Sequence, residues 1–149
     1  MSDSFTNLYC HIVFSTKGRA PLITAPIDAA LHRYINGIVH NLRGTCLIAN
    51  GTQDHEHILA RLHQDVSVSQ VLRTIKASSS RWIHLEFDKP SFAWQRGYGA
   101  FAVCESMLEK TYTYIARQKE HHRRTSFEDE FVAMLKANKL EFDERYLFQ

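Results

Sequence analysis

The chain has 149 residues, 44% of them hydrophobic and 23% charged, the proportions of a single globular domain spanning residues 1–149 with enough apolar material for its own core. The formal net charge of +2 excludes a uniformly basic nucleic-acid binder, and no run reaches the roughly 18 apolar residues that a membrane span requires. Cys10, Cys46 and Cys104 are widely spaced and lack a C-x-x-C pair, which excludes a disulfide framework and suits a reducing, cytoplasmic compartment without a signal peptide.

In chain order, Tyr9–Ser15 ("YCHIVFS") alternates β-branched and aromatic residues and predicts a strand. "TKGRAPL" is a loop. From Ala25 to Arg43, Ile27, Leu31, Tyr34, Ile35, Ile38 and Leu42 recur at helical spacing, with Gly44 as a natural stop. Thr45–Gly51 is a short strand, Thr52–Asp54 a turn, and His55–Leu62 a second long strand. Ser67 is placed to cap a helix through Val71, Leu72, Ile75, Trp82 and Ile83, ending before Pro90. Gln95–Val103 predicts another strand and Glu105–Arg124 a helix. A last helix runs from Ser126 to Asn138, with Glu128, Asp129 and Glu130 at the positive end of its dipole.

This order, βαββαβ followed by C-terminal helices, predicts an α+β fold: a ferredoxin-like antiparallel sheet with helices on one face and the other face open. Tyr9–Ser15 and His55–Leu62 are its central strands. Side chains alternate along a strand, so Ile58, Ala60 and Leu62 face the helices while His55, His57, Leu59 and Arg61 face the open side.

Two imidazoles on one face of a strand are either a polar patch on a half-solvated strand or part of a metal site, and a metal site needs a third ligand. The stretch "TYTYIARQKEHHRR" (Thr111–Arg124) offers one. Tyr114 and Gln118 lie one helical turn apart, with His121 and His122 a turn further on. A tyrosine hydroxyl is a weak nucleophile at its usual pKa of about 10. A divalent ion that holds a phosphate would let it attack and form a covalent phosphotyrosine.

Several segments together resemble one family: "HIVFSTKGRAPL" (His11–Leu22), "DHEHIL" (Asp54–Leu59), "VLRTIKASSSRWI" (Val71–Ile83), "FAWQRGYGAFAV" (Phe92–Val103), "YIARQKEHHRRTSFEDEF" (Tyr114–Phe131) and "LEFDERYLF" (Leu140–Phe148). In this order they resemble the single-tyrosine HUH transposases of small bacterial insertion sequences, the insertion-sequence 200/605 group. The resemblance implies that His55, His57 and Gln118 bind Mg2+ or Mn2+, and that Tyr114 is the nucleophile. It also implies a homodimer that exchanges its tyrosine helices, and a substrate of single-stranded DNA hairpins cut to a 5′-phosphotyrosine and a free 3′-hydroxyl.

Glu56 departs from that family, whose H-x-H motif carries a bulky hydrophobe at the middle position. Facing the helices, an unpaired carboxylate would cost several kcal/mol or be protonated, so it needs a basic partner or signals a decayed relative that binds hairpins without cleaving them. For DNA contacts the basic candidates are Lys17, Arg19, Arg73, Lys76, Arg81, Arg96 and Arg117. Trp94 and Tyr98 beside Arg96 offer faces on which unpaired bases stack. A third reading, an unrelated small metalloenzyme built on the H-x-H pair, leaves "YIARQ" and the serine–arginine helix unexplained.

Overall fold

Ile12 and Phe14 on one strand, and Ile58, Ala60 and Leu62 on its neighbour, alternate with His11, Val13, His55, His57 and Leu59, and all ten are buried. Both faces of the two central strands therefore need cover, and the rest of the chain supplies it. The computed structural model describes residues 3–149. Its elements are β1 (Leu8–Ser15), α1 (Ala25–Asn41), β2 (Thr45–Thr52), β3 (His55–Leu62), α2 (Val68–Glu86), β4 (Gly99–Val103), α3 (Leu108–Ala116), α4 (Gln118–His121) and α5 (Phe127–Ala137).

The sheet order is β2-β3-β1-β4, antiparallel throughout, with β1 and β3 central as expected. The ferredoxin-like arrangement follows from the hairpin joining β2 to β3 and the two helical crossovers. On one face, Ile27, Leu31, Ile35 and Val39 of α1 and Val71, Leu72, Ile75 and Ile83 of α2 close over Ile12, Phe14, Ile58 and Ala60. The Ser67 hydroxyl caps α2 by accepting from the Gln70 amide at 3.1 Å. In the β2–β3 hairpin, a Cβ at Gly51 would collide with the His55 carbonyl, so glycine lets β2 lie close against the start of the histidine strand.

The other face is not open. Phe127, Phe131 and Leu135 recur every fourth residue along α5, an apolar stripe that needs an apolar surface, and they bury Val13 and Phe101 of the sheet. His55 and His57 are consequently fully buried. The expectation of an exposed histidine face is corrected by this C-terminal layer.

Two element boundaries also differ from expectation. The fourth strand begins at Gly99, not Gln95. Ahead of it, the Lys76 ammonium donates to the carbonyls of Gln95 at 2.9 Å, Arg96 at 3.3 Å and Gly97, and those groups cannot then pair in the sheet. The expected helix over Glu105–Arg124 is divided into a 3₁₀ turn (Glu105–Met107), α3 and α4, with a break at Arg117 (φ −99, ψ 18). Its cause is a side-chain donor inserted into the helical ladder: Asn50 Nδ2 bonds the carbonyls of Ile115 at 2.9 Å and Ala116 at 3.3 Å. Tyr114 and Gln118 thus flank a break instead of sharing one unbroken helix. Among the described residues no helix is long and apolar enough to cross a membrane.

Lys76, a DNA-contact candidate on sequence grounds, is committed to the loop before β4 through three charge-assisted bonds. We expect Lys76→Met to cost about 1.5–3 kcal/mol of stability, read as a lower urea midpoint at unchanged m-value. A midpoint equal to wild type would show that the ammonium does not hold this loop.

Candidate functional site

The face of β3 that carries His55 and His57 meets α3, α4 and α5 in a buried polar cluster. Its centre is Glu130, from the first turns of α5, which Ser126 caps by accepting from the Asp129 amide at 3.2 Å. Glu130 Oε1 lies 3.0 Å from His57 Nε2 and 3.0 Å from His122 Nε2. Its Oε2 accepts from the Tyr114 hydroxyl in a short bond, and from Gln118 Nε2 at 3.2 Å. His55 Nε2 stands 3.8 Å from Oε1, and His121 Nε2 3.3 Å from Oε2.

Each imidazole is oriented from behind. His55 Nδ1 faces the Asp54 carboxylate at 2.7 Å and the Thr52 hydroxyl at 3.0 Å. His122 Nδ1 faces the Thr125 carbonyl at 2.6 Å. His57 Nδ1 shares a proton with His11 Nε2 at 2.8 Å. With Nδ1 of His55 donating to Asp54, its Nε2 carries a lone pair, yet it faces the Gln118 Oε1 acceptor at 3.2 Å. Two acceptors at that distance repel unless a cation or an additional proton lies between them. His55, His57, His122 and Glu130 each present a ligand atom within 4.8 Å of the others, and outward-fixed Nδ1 protons are the usual support for Nε2 ligation. The donor set fits a divalent ion.

The electrostatics follow from burial and from Glu130. Burial opposes ionisation of Glu130, but hydrogen bonds from His122, His57 and Tyr114 outweigh it and hold the carboxyl well below the usual range. Burial and the neighbouring carboxylate push the Tyr114 phenol above its ordinary value. Burial pulls His57 down to about 4 and His11 to about 3. His122 is raised: burial opposes its charge, but the bond to Glu130 prevails.

The structure brings His55, His57, Tyr114 and Gln118 together within one chain. Arg117 is exposed and lines a cleft of about 670 Å³ against Tyr114, with Lys110, His121 and Arg124. Arg19 lines a second cleft of about 520 Å³ with Asp28, Lys119, His122 and Arg123; it also pairs with Glu128 at 3.1 Å and lies over the Phe148 ring. Lys17 and Arg96 share a third recess with the C-terminal Phe148 and Gln149. Arg73 and Arg81 are exposed on α2, in the helical layer on the far side of the sheet from the histidines.

Sequence reasoning missed Glu130, which it read only as a charge suited to a helix dipole, and His11. For His11 a signal existed: two positions before Val13, which pairs with His57, it must face the same side of the sheet. His122 was noted without a role. Glu130 had no local signal, since its function arises only when α5 folds over the sheet.

A family model described as "Transposase IS200 like" matches residues 4–118. A search of curated proteins gave no match. Among solved structures, a protein of Deinococcus radiodurans R1 provisionally described as a transposase aligns with TM-score 0.65 at 18% identity, covering 79% of this chain and 95% of that one. A REP-associated tyrosine transposase bound to a REP hairpin aligns with TM-score 0.55 at 14% identity, covering 85% of this chain and 76% of that one. At these identities the two structures establish the shared fold. The family match stops at Gln118, before His121, His122 and Glu130.

Acid sensitivity follows from the buried imidazoles. A histidine whose folded pKa lies below its unfolded value is protonated first in the unfolded chain, so stability falls as pH drops through the interval between them. For His57 and His11 that interval runs from 6.5 down to about 4 and about 3, worth about 2 kcal/mol apiece by pH 5. Glu130 acts with the same sign at lower pH, and His122 with the opposite sign. We expect the metal-free protein to lose about 2–4 kcal/mol between pH 7 and 5 in urea unfolding, with a shallower loss in His57→Gln. Constant stability over that range would mean that these imidazoles are not held neutral.

Proposed function

The chain belongs to the IS200-like transposase family, and on that premise we propose that it cleaves and rejoins single-stranded DNA through a covalent 5′-phosphotyrosine at Tyr114. His55, His57 and Gln118 would hold a divalent ion, Mg2+ or Mn2+, with His122 and Glu130 as additional donors. The observation that carries this reading is the convergence of imidazole Nε2 atoms on the carboxylate that also receives the Tyr114 hydroxyl. Nucleophile and metal donors share one anchor.

An ion held there would supply polarisation of the scissile phosphate oxygens and offset the charge that develops on them. The Asp54 carboxylate and the Thr125 carbonyl face Nδ1 of His55 and His122 and turn their Nε2 atoms inward, and His11 orients the His57 ring. Glu130 holds the phenolic oxygen beside the imidazoles through the hydrogen bond it accepts, and the phenol proton passes to water as the new P–O bond forms. Attack by Tyr114 Oη on phosphorus forms the new P–O bond and breaks the bond to the 3′-oxygen, which takes a proton from water and leaves as a hydroxyl. Rejoining runs the same exchange backwards, with a 3′-hydroxyl as nucleophile and Tyr114 as leaving group. One P–O bond is exchanged for another, so no external energy source is required.

Arg117, Lys110 and Arg124 line the cleft at Tyr114 and are assigned to phosphates flanking the cut. Lys17, Arg19 and Arg96 are assigned to the strand as it leaves the site. Arg73 and Arg81, on the far layer, are assigned to the hairpin stem and not to the scissile phosphate. Hairpin DNA is the substrate of the resembled family and the ligand of one structural relative. A DNA substrate makes the cytoplasm the compartment.

The resemblance implies a homodimer with exchanged tyrosine helices. In that arrangement each Tyr114 and Gln118 would make the same contacts in the partner's site, the chain parting at Cys104–Met107 between β4 and α3. The alternative reading, hairpin binding without cleavage, was motivated by Glu56. That carboxylate turns to the opposite face and meets His32 at 3.2 Å, so it leaves the imidazoles undisturbed.

The reading predicts a protein–DNA adduct that survives denaturation, forms only with Mg2+ or Mn2+, and is absent in Tyr114→Phe, which still binds the hairpin. Hairpin binding by wild type without an adduct in any divalent ion would favour the non-cleaving alternative. Mixing Tyr114→Phe with His57→Ala separates the two geometries. Recovery of adduct to about a quarter to a half of wild type, the share expected from random pairing of subunits, marks exchanged helices; no recovery marks a site completed within one chain.

A further inference from the structure

Behind the histidine strand, on the α1 side of the sheet, lies a second convergence of ligand atoms. Glu56, between His55 and His57, is fully buried, and its Oε2 has no hydrogen-bond partner. Its Oε1 meets His32 Nε2 at 3.2 Å. Asp28, one helical turn before His32, brings Oδ1 to 3.4 Å from the same nitrogen, and this oxygen is likewise buried and without a hydrogen bond. The other oxygen, Oδ2, pairs with the Lys119 ammonium at 2.9 Å.

One imidazole nitrogen carries at most one proton, and here two carboxylates converge on it. A proton on His32 satisfies Glu56 Oε1 and leaves Asp28 Oδ1 and Glu56 Oε2 without partners. A buried oxygen in that state keeps an uncompensated desolvation cost, larger when it is charged. The spacing suits a different occupant. Ligand atoms sharing a first-row ion at about 2.1 Å stand roughly 3.0–3.4 Å apart when their angle at the ion is near 90–110°. The two contacts to His32 Nε2 fall there, and all three residues present ligand atoms within 4.8 Å of one another.

We propose that Asp28, His32 and Glu56 form a second divalent-cation site, structural in role, which clamps α1 to the middle of the histidine strand. One imidazole and two carboxylates favour a first-row ion such as Mn2+ or Zn2+ over Ca2+, which prefers an all-oxygen shell of higher coordination. The ion would take up the orphaned Asp28 Oδ1 and bind the Glu56 carboxylate, whose second oxygen lacks a partner. Because Glu56 sits between His55 and His57 on the same strand, the clamp also fixes the backbone from which those imidazoles project.

The test counts Mn2+ bound to the chelator-stripped full chain, by electron paramagnetic resonance of the free ion, for wild type, Asp28→Asn, Glu56→Gln and His57→Ala. The expected counts are two ions for wild type and one for each variant. Mn2+ should also raise the melting temperature of His57→Ala, and the rise should disappear in His57→Ala/Asp28→Asn. A wild-type count of one that falls to zero in His57→Ala but survives in Asp28→Asn and Glu56→Gln overturns the proposal while leaving the Tyr114 site intact. The reverse pattern supports this site and removes the metal from the Tyr114 site. No binding overturns both. Asp28→Asn is isosteric and the Asp28 side chain is partly exposed at 19%, so its folding is expected to survive. An anomalous difference peak at the manganese edge between Asp28, His32 and Glu56 in wild-type crystals decides the matter without any variant; its absence alongside a peak at His55 and His57 overturns the proposal.

Discussion

The Glu130 carboxylate is the group on which the polar interior depends. It collects hydrogen-bond contacts from His57, His122, Gln118 and Tyr114, which arise from β3, α3, α4 and the segment leading into α5. A buried carboxylate without such partners would be neutralised or expelled; with them it is held ionised, and the three C-terminal helices are pinned to the sheet at one point. The apolar packing of Phe127, Phe131 and Leu135 brings α5 to that position. The charge then selects which imidazole nitrogens point inward. The geometry of the imidazole cluster and the docking of α5 therefore rest on the same residue, so truncating Glu130 would disturb both.

The break at Arg117 has a comparable double meaning. Asn50 takes up the carbonyls of Ile115 and Ala116, and Lys119 returns to Asn50 Oδ1 at 3.0 Å and the Gly51 carbonyl at 3.2 Å. The β2–β3 hairpin thus grips the chain on both sides of the point where α3 becomes α4. Tyr114 lies before the break and Gln118 after it, so the two side chains can be oriented separately. The same hairpin carries Thr52 and Asp54, which orient His55. Proximity between Tyr114 and the imidazoles is set by one tight hairpin, in which Gly51 allows the strands to approach.

The sheet was legible in the sequence because its signals are local. Alternation in Tyr9–Ser15 and His55–Leu62, helical spacing in Ala25–Arg43, and a serine before Val68 each act within a few residues, and they place the elements and the face of each histidine correctly. What escaped was decided at long range. The periodicity of α5 predicts a helix but not the surface it seeks, so the histidine face reads as open in sequence and is closed in structure. Glu130 and His57 are 73 positions apart, and nothing near either announces the other. Gln95–Tyr98 has strand-like residues, but Lys76, from α2, takes its carbonyls. The helix break comes from Asn50, far upstream.

Strand β3 shows why one position can resist reading by analogy. On a strand the residue between two histidines must face away from them, and here that direction leads into the α1–α2 core, where a hydrophobe is the simple solution. Glu56 is compatible with the fold only because Asp28 and His32, one helical turn apart on α1, meet it at the rim of that core. The three polar residues form a set in which His32 meets both carboxylates, at 3.4 Å from Asp28 and 3.2 Å from Glu56, so loss of the imidazole leaves both without it. Such a set is not produced by the packing of the sheet, which a leucine at position 56 would serve as well. Its presence directly behind the imidazoles places a second polar centre within one strand thickness of the first. The strand becomes a rigid partition between two charged sites, its register fixed from both sides.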